Sequence, residues 1–324
     1  MNLINGTFDT KIISSKQIES FFADKKQLAL DLVEKAFISW EEEKIVSPAK
    51  ISQIFDEKTL SRINCMSATL LEEQVCGMKW VSIFPENYKK ELLNITALII
   101  LSTLETGYPL AVMDGSYITA LRTAALGSVA VKYLAKKESD TIGFIGSGLQ
   151  AKNHFRMISL VRELKSCYVA SRRSYSEQKF IEELQNEYPK VKFIACNSDY
   201  KKASENADII VTATSGQQPL LKAEYVKEGA TYIHVGLYED EYKVVQKADK
   251  IICDSWEAIK HSQQTISRMY HENLLSDDDI YADFGQIVTK EKSGRDNDKQ
   301  IIYFATIGLA FLDVVFANAF IKNL

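Results

Sequence analysis

The segment that most constrains this chain is a short apolar strand that runs directly into a glycine turn and then a helix. Thr141-Ile142-Gly143-Phe144-Ile145 is rich in β-prone residues, and Gly146-Ser147-Gly148-Leu149-Gln150-Ala151 follows at once. In a G-x-G-x-x-A turn the first glycine permits the tight turn and the second lets backbone N–H groups approach a pyrophosphate. The small last residue keeps helix and sheet close. The helix N-terminus adds a positive partial charge beside the anion. Gly146, Ser147, Gly148, Leu149 and Gln150 are therefore the expected cofactor-binding residues.

A glycine pattern by itself carries little weight, and here the weight comes from its surroundings. Apolar, β-branched runs recur at 166–170, 191–195, 207–212, 231–235 and 250–253, with helix-period stretches at 150–164 and 174–187. This alternation predicts an α/β fold in which helices cover a Rossmann-type doubly wound parallel sheet. The first 120 or so residues differ in texture. Residues 17–43 read as one or two amphipathic helices, while 50–55, 77–84 and 97–103 read as strands of a separate sheet, so an α+β domain is expected there. Residues 119–136 form an Ala-rich helical stretch leading into the first strand of the nucleotide domain. Residues 307–322 are too apolar for a free tail and are expected to pack on the N-terminal domain or on a second subunit, whereas 290–299 is polar and expected to be mobile.

Composition excludes several function classes. The net charge of −4, from 39 basic and 43 acidic side chains spread along the chain, implies no surface for nucleic acid. The most apolar stretches, 95–101 and 307–321, do not reach the roughly 20 apolar residues of a membrane span. The N-terminus lacks the pattern of a targeting segment, so a cytoplasmic location is expected. Cys65, Cys76, Cys167, Cys196 and Cys253 have no short paired spacing and read as reduced core residues. The four histidines show no metal-ligand spacing, and no metal site is expected.

Several segments are positioned for chemistry. An acid at the end of the second strand would hydrogen-bond the ribose 2′-hydroxyl, but this chain has Ala170-Ser171-Arg172-Arg173 there. Two guanidinium groups suit a 2′-phosphate and so favour NADP. Alternatively they are solvated or stack on adenine. Thr212, Thr214 and Ser215 follow the fourth strand, where their hydroxyls would line the nicotinamide ribose or simply form a turn. After the fifth strand, Gly236-Leu237-Tyr238-Glu239-Asp240-Glu241 places acids near the hydride-transfer position. Lys79 interrupts an otherwise apolar strand, so it lies either on a solvent face or in a site with an anionic partner. Arg122, near the start of the 119–136 helix, either grips a carboxylate bidentately or is an ordinary exposed helical arginine.

Taken together, Gly77-Met78-Lys79, Thr106-Gly107-Tyr108-Pro109-Leu110-Ala111 with Met113-Asp114-Gly115, residues 118–125, the 146–151 turn, and Gly308-Leu309-Ala310 with Asp313 resemble the ornithine cyclodeaminase/mu-crystallin family of NAD(P)-dependent enzymes. The resemblance runs from about residue 45 to the C-terminus in the family's order. It implies a substrate-binding and dimerisation domain built from residues 1–125 and 300–324, a Rossmann domain over 126–299, and a homodimer formed through the substrate domains. It also implies that Lys50, Lys79 and Arg122 bind the amino-acid substrate, Lys79 and Arg122 being at the reacting centre. Cyclodeaminases carry a catalytic aspartate just after the fifth strand, where this chain has Tyr238-Glu239, which counts against ornithine cyclisation.

Within the family, residues 76–80 and 84–87, together with 248–254, are most similar to the NAD-dependent dehydrogenases of 2,3-diaminopropionate biosynthesis in siderophore pathways such as that of staphyloferrin B. That similarity implies oxidation of N-(2-amino-2-carboxyethyl)-L-glutamate by NAD, with NADP also possible, and hydrolysis of the imine to 2-oxoglutarate and L-2,3-diaminopropionate. Glu239 is the candidate base for water attack, with Tyr238 as the alternative. Competing expectations are a ketimine reductase, amino-acid dehydrogenase or ornithine cyclodeaminase of the same family, and a non-catalytic NADP-binding protein of the crystallin type. Retention of Lys79 and Arg122 argues against the last.

Overall fold

The computed structural model describes residues 9–324, which divide into two compact units, residues 9–122 with 308–324 and residues 123–307. The first unit is built from β1 (Lys11–Ile13), α1 (Ser15–Phe22), α2 (Lys26–Glu41), β2 (Ile45–Val46), β3 (Ile51–Asp56), β4 (Ser61–Leu70), β5 (Val75–Ile83), β6 (Ile95–Thr103), β7 (Pro109–Asp114) and the start of α3 (Ser116–Leu134). The second holds β8 (Thr141–Ile145), α4 (Leu149–Ile158), β9 (Ser166–Ala170), α5 (Ser174–Glu187), β10 (Lys192–Ala195), α6 (Tyr200–Ser204), β11 (Ile209–Thr212), β12 (Thr231–His234) and α7 (Tyr242–Lys247). It continues through β13 (Lys250–Cys253), α8 (Trp256–Ile259), α9 (Thr265–His271), β14 (Ala282–Asp283), α10 (Phe284–Val288) and β15 (Ile302–Ala305), after which α11 (Ala310–Ile321) returns to the first unit.

In the first unit a seven-stranded sheet runs β1-β7-β6-β5-β4-β2, and β3 also pairs with β4. All these pairings are antiparallel except β1 with β7. Alternation sends Val75, Gly77, Lys79 and Val81 of β5 to the buried face. The bare Cα of Gly77 is what admits α11, since a Cβ there would lie 2.6 Å from Leu101 Cδ2 and 2.9 Å from Val314 Cγ2. Helix α11 is apolar on every side apart from Asp313 and Asn318, as fits a helix that is almost wholly enclosed. Phe311 stacks on Trp40 of α2 at 5.1 Å between ring centroids, and Phe316 and Phe320 meet Phe22 and Phe21 of α1. The terminal apolar segment thus packs on the N-terminal part of its own chain.

The opposite face of this sheet is also apolar. Cys65, Trp80 and Leu98 lie side by side in register, as do Met78, Ile100, Val112 and Ile12. Trp80, Leu98 and Ile12 are exposed, as are Ile51, Ile54 and Phe55 on β3.

The second unit has an eight-stranded sheet of order β10-β9-β8-β11-β12-β15-β13-β14, parallel throughout. The strands expected from the sequence are all present. Strand order reverses between β8 and β11, the switch point at which such sheets bind ligands beyond their carboxyl ends. Two strands were not anticipated. β15 inserts between β12 and β13, so residues 300–307, expected with the outer domain, belong instead to the parallel sheet's unit. Periodicity alone cannot separate a fully buried strand from any other apolar run, and Ile301 to Ala305 is such a run. The 290–299 loop, expected to be mobile, is anchored by Arg295, which donates to Leu134 O at 2.8 Å, Gln300 O at 2.6 Å and Thr231 Oγ1 at 3.0 Å.

All five cysteines are free thiols, and no cluster of three metal-ligating side chains occurs among the described residues. No helix of the described residues is long and apolar enough to cross a membrane.

Candidate active site

At the end of β8, Gly146 has φ +108°, a conformation open to glycine, and a Cβ there would meet Ala213 O at 2.5 Å. Gly148 is different. It is the N-cap of α4, and a Cβ built on it would meet no atom within 4 Å. The protein itself does not require glycine at this position, as fits a cradle kept clear for a bound phosphate at a helix N-terminus. Ala151 is fully buried against the sheet, and Leu149 is exposed. The buried Oε1 of Gln150 accepts no hydrogen bond from the described residues.

The loops at this edge are braced by two buried carboxylates that the sequence reading missed or misassigned. Glu177, in the first turn of α5, accepts from Ser171 N (2.8 Å), Asn197 N (2.7 Å) and Ser198 N (2.8 Å), joining the loops after β9 and β10. Asn197 and Ser198 both have positive φ, so Glu177 holds a conformation that non-glycine residues adopt at a cost. Ser171 is buried and its hydroxyl donates to Arg173 O, while Arg172 and Arg173 are exposed at the ribose end of β9.

Glu239 does the same for the loops after β11 and β12. Its fully buried carboxylate accepts from Thr212 Oγ1 (2.6 Å), Thr214 N (2.5 Å) and Gly236 N (2.8 Å). The Thr212 hydroxyl also meets Tyr232 Oη at 2.8 Å, so it belongs to this interior network and does not line a cofactor edge. Thr214 lies beside Gly146 and Ser215 is exposed. These contacts correct the expectation that Glu239 is a water-activating base: its oxygens are committed to the loops they hold. Tyr238, the alternative, is partly buried, with the Arg268 guanidinium carbon 4.3 Å from its ring centre.

Beneath Glu239 lies further buried polar chemistry. Asp240 accepts from Thr265 Oγ1 at 2.6 Å, and burial pushes its carboxyl up to about 7. His234 pairs with Tyr303 Oη at 2.8 Å, and burial holds the imidazole down to about 3, hence neutral. Replacing Glu239 with Gln is expected to destabilise the fold by about 1–3 kcal/mol, because an amide NH₂ would face N–H donors that now meet an oxygen. Urea denaturation measures this, and an unchanged midpoint would remove the bracing role.

In the first unit, the open question over Lys79 resolves to the second alternative: it is 1% exposed and its Nζ lies 2.6 Å from Asp313 Oδ2. Arg122 is 5% exposed and donates from Nε to Asp313 Oδ1 at 3.0 Å. Asp313 itself is fully buried in the first turn of α11, where the helix dipole favours a carboxylate. Burial, and next the neighbouring Arg122 charge, lower the Lys79 amine to about 7, while Asp313 opposes the shift and Lys50 adds to it. Two nearly dry cations thus share one carboxylate, with a third cation, Lys50, within electrostatic reach. Sequence reasoning placed Asp313 in a matching motif but gave it no role.

The chain belongs to the ornithine cyclodeaminase/mu-crystallin family, whose pattern matches residues 9–324. Among solved structures it is similar to Δ¹-pyrroline-2-carboxylate reductase of Thermococcus litoralis in complex with NADH and L-proline. The two share 30% identity and a TM-score of 0.92 over 97% of each chain. An archaeal alanine dehydrogenase dimer with bound NAD is 32% identical, with a TM-score of 0.89 over 97% of this chain and 95% of that one. The N-((2S)-2-amino-2-carboxyethyl)-L-glutamate dehydrogenase of Staphylococcus aureus is 30% identical over 245 residues, 75% of this chain and 73% of that protein.

Proposed function

We propose that this protein is an NAD-dependent oxidoreductase acting at the C–N bond of an amino acid, and that its substrate is N-(2-amino-2-carboxyethyl)-L-glutamate. The observation that carries this is the buried pairing of Lys79 and Arg122 with a single carboxylate, Asp313, with Lys50 nearby. Lys79 and Arg122 together exceed Asp313 by one positive charge, which suits a substrate carboxylate. The staphylococcal relative supports the particular substrate.

In this reading the 146–151 turn and the N-terminus of α4 hold the pyrophosphate, and NAD, when bound, accepts hydride. Lys79 and Arg122 hold a substrate carboxylate and orient the glutamyl Cα–H. Hydride leaves that carbon and a C=N bond forms. Water adds to the imine carbon, and the carbinolamine collapses with C–N cleavage to 2-oxoglutarate and L-2,3-diaminopropionate. With Glu239 committed to its loops, the proton transfers of the hydrolytic half pass to Tyr238 or to water.

A second reading, reversible reduction of a simple or cyclic imino acid, is favoured by the pyrroline-carboxylate reductase and alanine dehydrogenase structures, each similar over nearly the whole chain. One assay decides between them. The protein is incubated with NAD and, separately, the glutamate adduct, L-proline and L-alanine, and the products are identified by mass spectrometry. NADH formation with equimolar 2-oxoglutarate and 2,3-diaminopropionate from the adduct is the expected result; turnover of proline or alanine alone establishes the second reading. NAD is expected over NADP in the same assay, on the strength of the NAD and NADH complexes, although Arg172 and Arg173 offer charge for a 2′-phosphate. A tenfold higher kcat/KM with NADP would reverse that choice.

The apolar outer face of the seven-stranded sheet, with Trp80, Leu98 and Ile12 exposed, supports a homodimer formed through the first unit. Trp80→Asp with Leu98→Asp is expected to yield a folded monomer in sedimentation velocity. A dimer that survives both charges would place the interface elsewhere.

A further inference from the structure

We infer that Asp313 is a positioning residue for the substrate-carboxylate site, clamping Lys79 and Arg122 at a fixed separation so that their remaining donors are shared by one carboxylate. The inference rests on the reading that those two cations receive the substrate. Its geometric basis is independent of that reading. Each oxygen of Asp313 serves a different cation, Oδ2 facing Lys79 Nζ at 2.6 Å and Oδ1 accepting from Arg122 Nε at 3.0 Å. Because all three side chains are nearly or fully buried, water cannot substitute for a missing partner, and loss of Asp313 leaves both cations uncompensated.

The pairing also decides which donors stay available. Arg122 donates to Asp313 from Nε, with its two Nη groups beside Gly308, while Lys79 meets Oδ2 as an ion pair through an ammonium that carries three donors. Two cations and one anion leave one positive charge, which a single carboxylate neutralises. Asp313 does this from α11, a helix that contributes no other ionisable side chain.

The groups facing Lys79 are Asp313 on α11, Arg122 on α3 and Lys50 ahead of β3. Of these only Asp313 favours the ammonium form. Without it the amine loses its proton at lower pH, so the charged form, which exists below its pKa, disappears earlier as pH rises.

The test uses Asp313→Asn in the full chain, with circular dichroism and thermal unfolding as the check on folding and NAD affinity expected unchanged. In protein carrying [ε-¹³C]lysine, with the Lys79 resonance assigned by its loss in Lys79→Met, the titration of Lys79 is expected to fall by a pH unit or more. The KM for the amino-acid substrate should rise at least tenfold, the alkaline limb of kcat/KM should move to lower pH, and Asp313→Glu should recover part of each effect. A Lys79 titration that does not move overturns the inference. If the titration moves and KM does not, the clamp stands and the carboxylate-binding reading falls. Should Asp313→Asn fail to fold, Lys79→Met is compared with Lys79→Met plus Asp313→Leu. A further tenfold rise in KM in the double variant supports the clamp of Arg122, and equal KM values overturn it.

Discussion

Lys79→Ala and Arg122→Ala are each expected to lower kcat/KM for the amino-acid substrate by about 10²-fold or more, on the order of 3 kcal/mol of transition-state stabilisation, while NAD binds as before. The size follows from what each side chain does once the substrate is held. In the proposed reading the two buried cations fix a substrate carboxylate in place, and loss of either would let the Cα–H wander from the geometry that hydride transfer needs. The two variants should still differ. Lys79→Ala leaves Asp313 bonded to Arg122, and Arg122→Ala leaves it paired with Lys79, so neither strands the carboxylate, but the arginine variant also removes the charge that pushes the lysine amine down. Lys79 should therefore titrate higher in Arg122→Ala. Steady-state kinetics across pH, with thermal unfolding run alongside, measures both effects, and wild-type kcat/KM in either variant removes that residue from the site.

Gly148→Val is expected to abolish measurable NAD binding with little loss of stability. The two glycines of the turn separate cofactor contact from fold. At Gly146 a side chain would collide with Ala213 O and force a positive φ, so substitution there damages the protein with or without ligand. At Gly148 no protein atom lies within 4 Å of the added carbon, so in the proposed mode of binding a side chain there meets the pyrophosphate before it meets the protein. A loss of more than 10²-fold in affinity is expected, set by displacement of a charged group from backbone donors. Calorimetry reads it directly, and an unchanged Kd with unchanged melting would mean that the phosphates lie elsewhere.

The parallel sheet was legible because each strand announces itself locally: Thr141 to Ile145 is short, β-branched and followed by a glycine turn, and the later runs repeat that grammar. β15 was not legible, because Ile302-Tyr303-Phe304-Ala305 merges with the apolar terminal segment and only its neighbours, β12 and β13, reveal it as a strand. Lys79 could be flagged as an anomaly from its apolar surroundings, but the choice between solvent and counterion depended on Asp313, far along the chain. Glu239 shows the converse. Its place after β12 suggested chemistry, and only the donors around it, Thr212, Thr214 and Gly236, reveal a brace. Glu177, in the middle of an ordinary polar helix, carried no local signal at all.

Because Arg122 and Asp313 stand 191 positions apart, the ribosome delivers the two cations well before their counterion, by roughly 10–40 s at ordinary elongation rates. During that interval the sheet that carries Lys79 must either leave the ammonium in water or wait unfinished, so the first unit cannot mature on the N-to-C schedule open to the second. A nascent chain stalled before α11 emerges should therefore hold a complete parallel sheet beside an N-terminal half that a protease still cuts. Emergence of α11 would close both the core and the charge cluster in a single event.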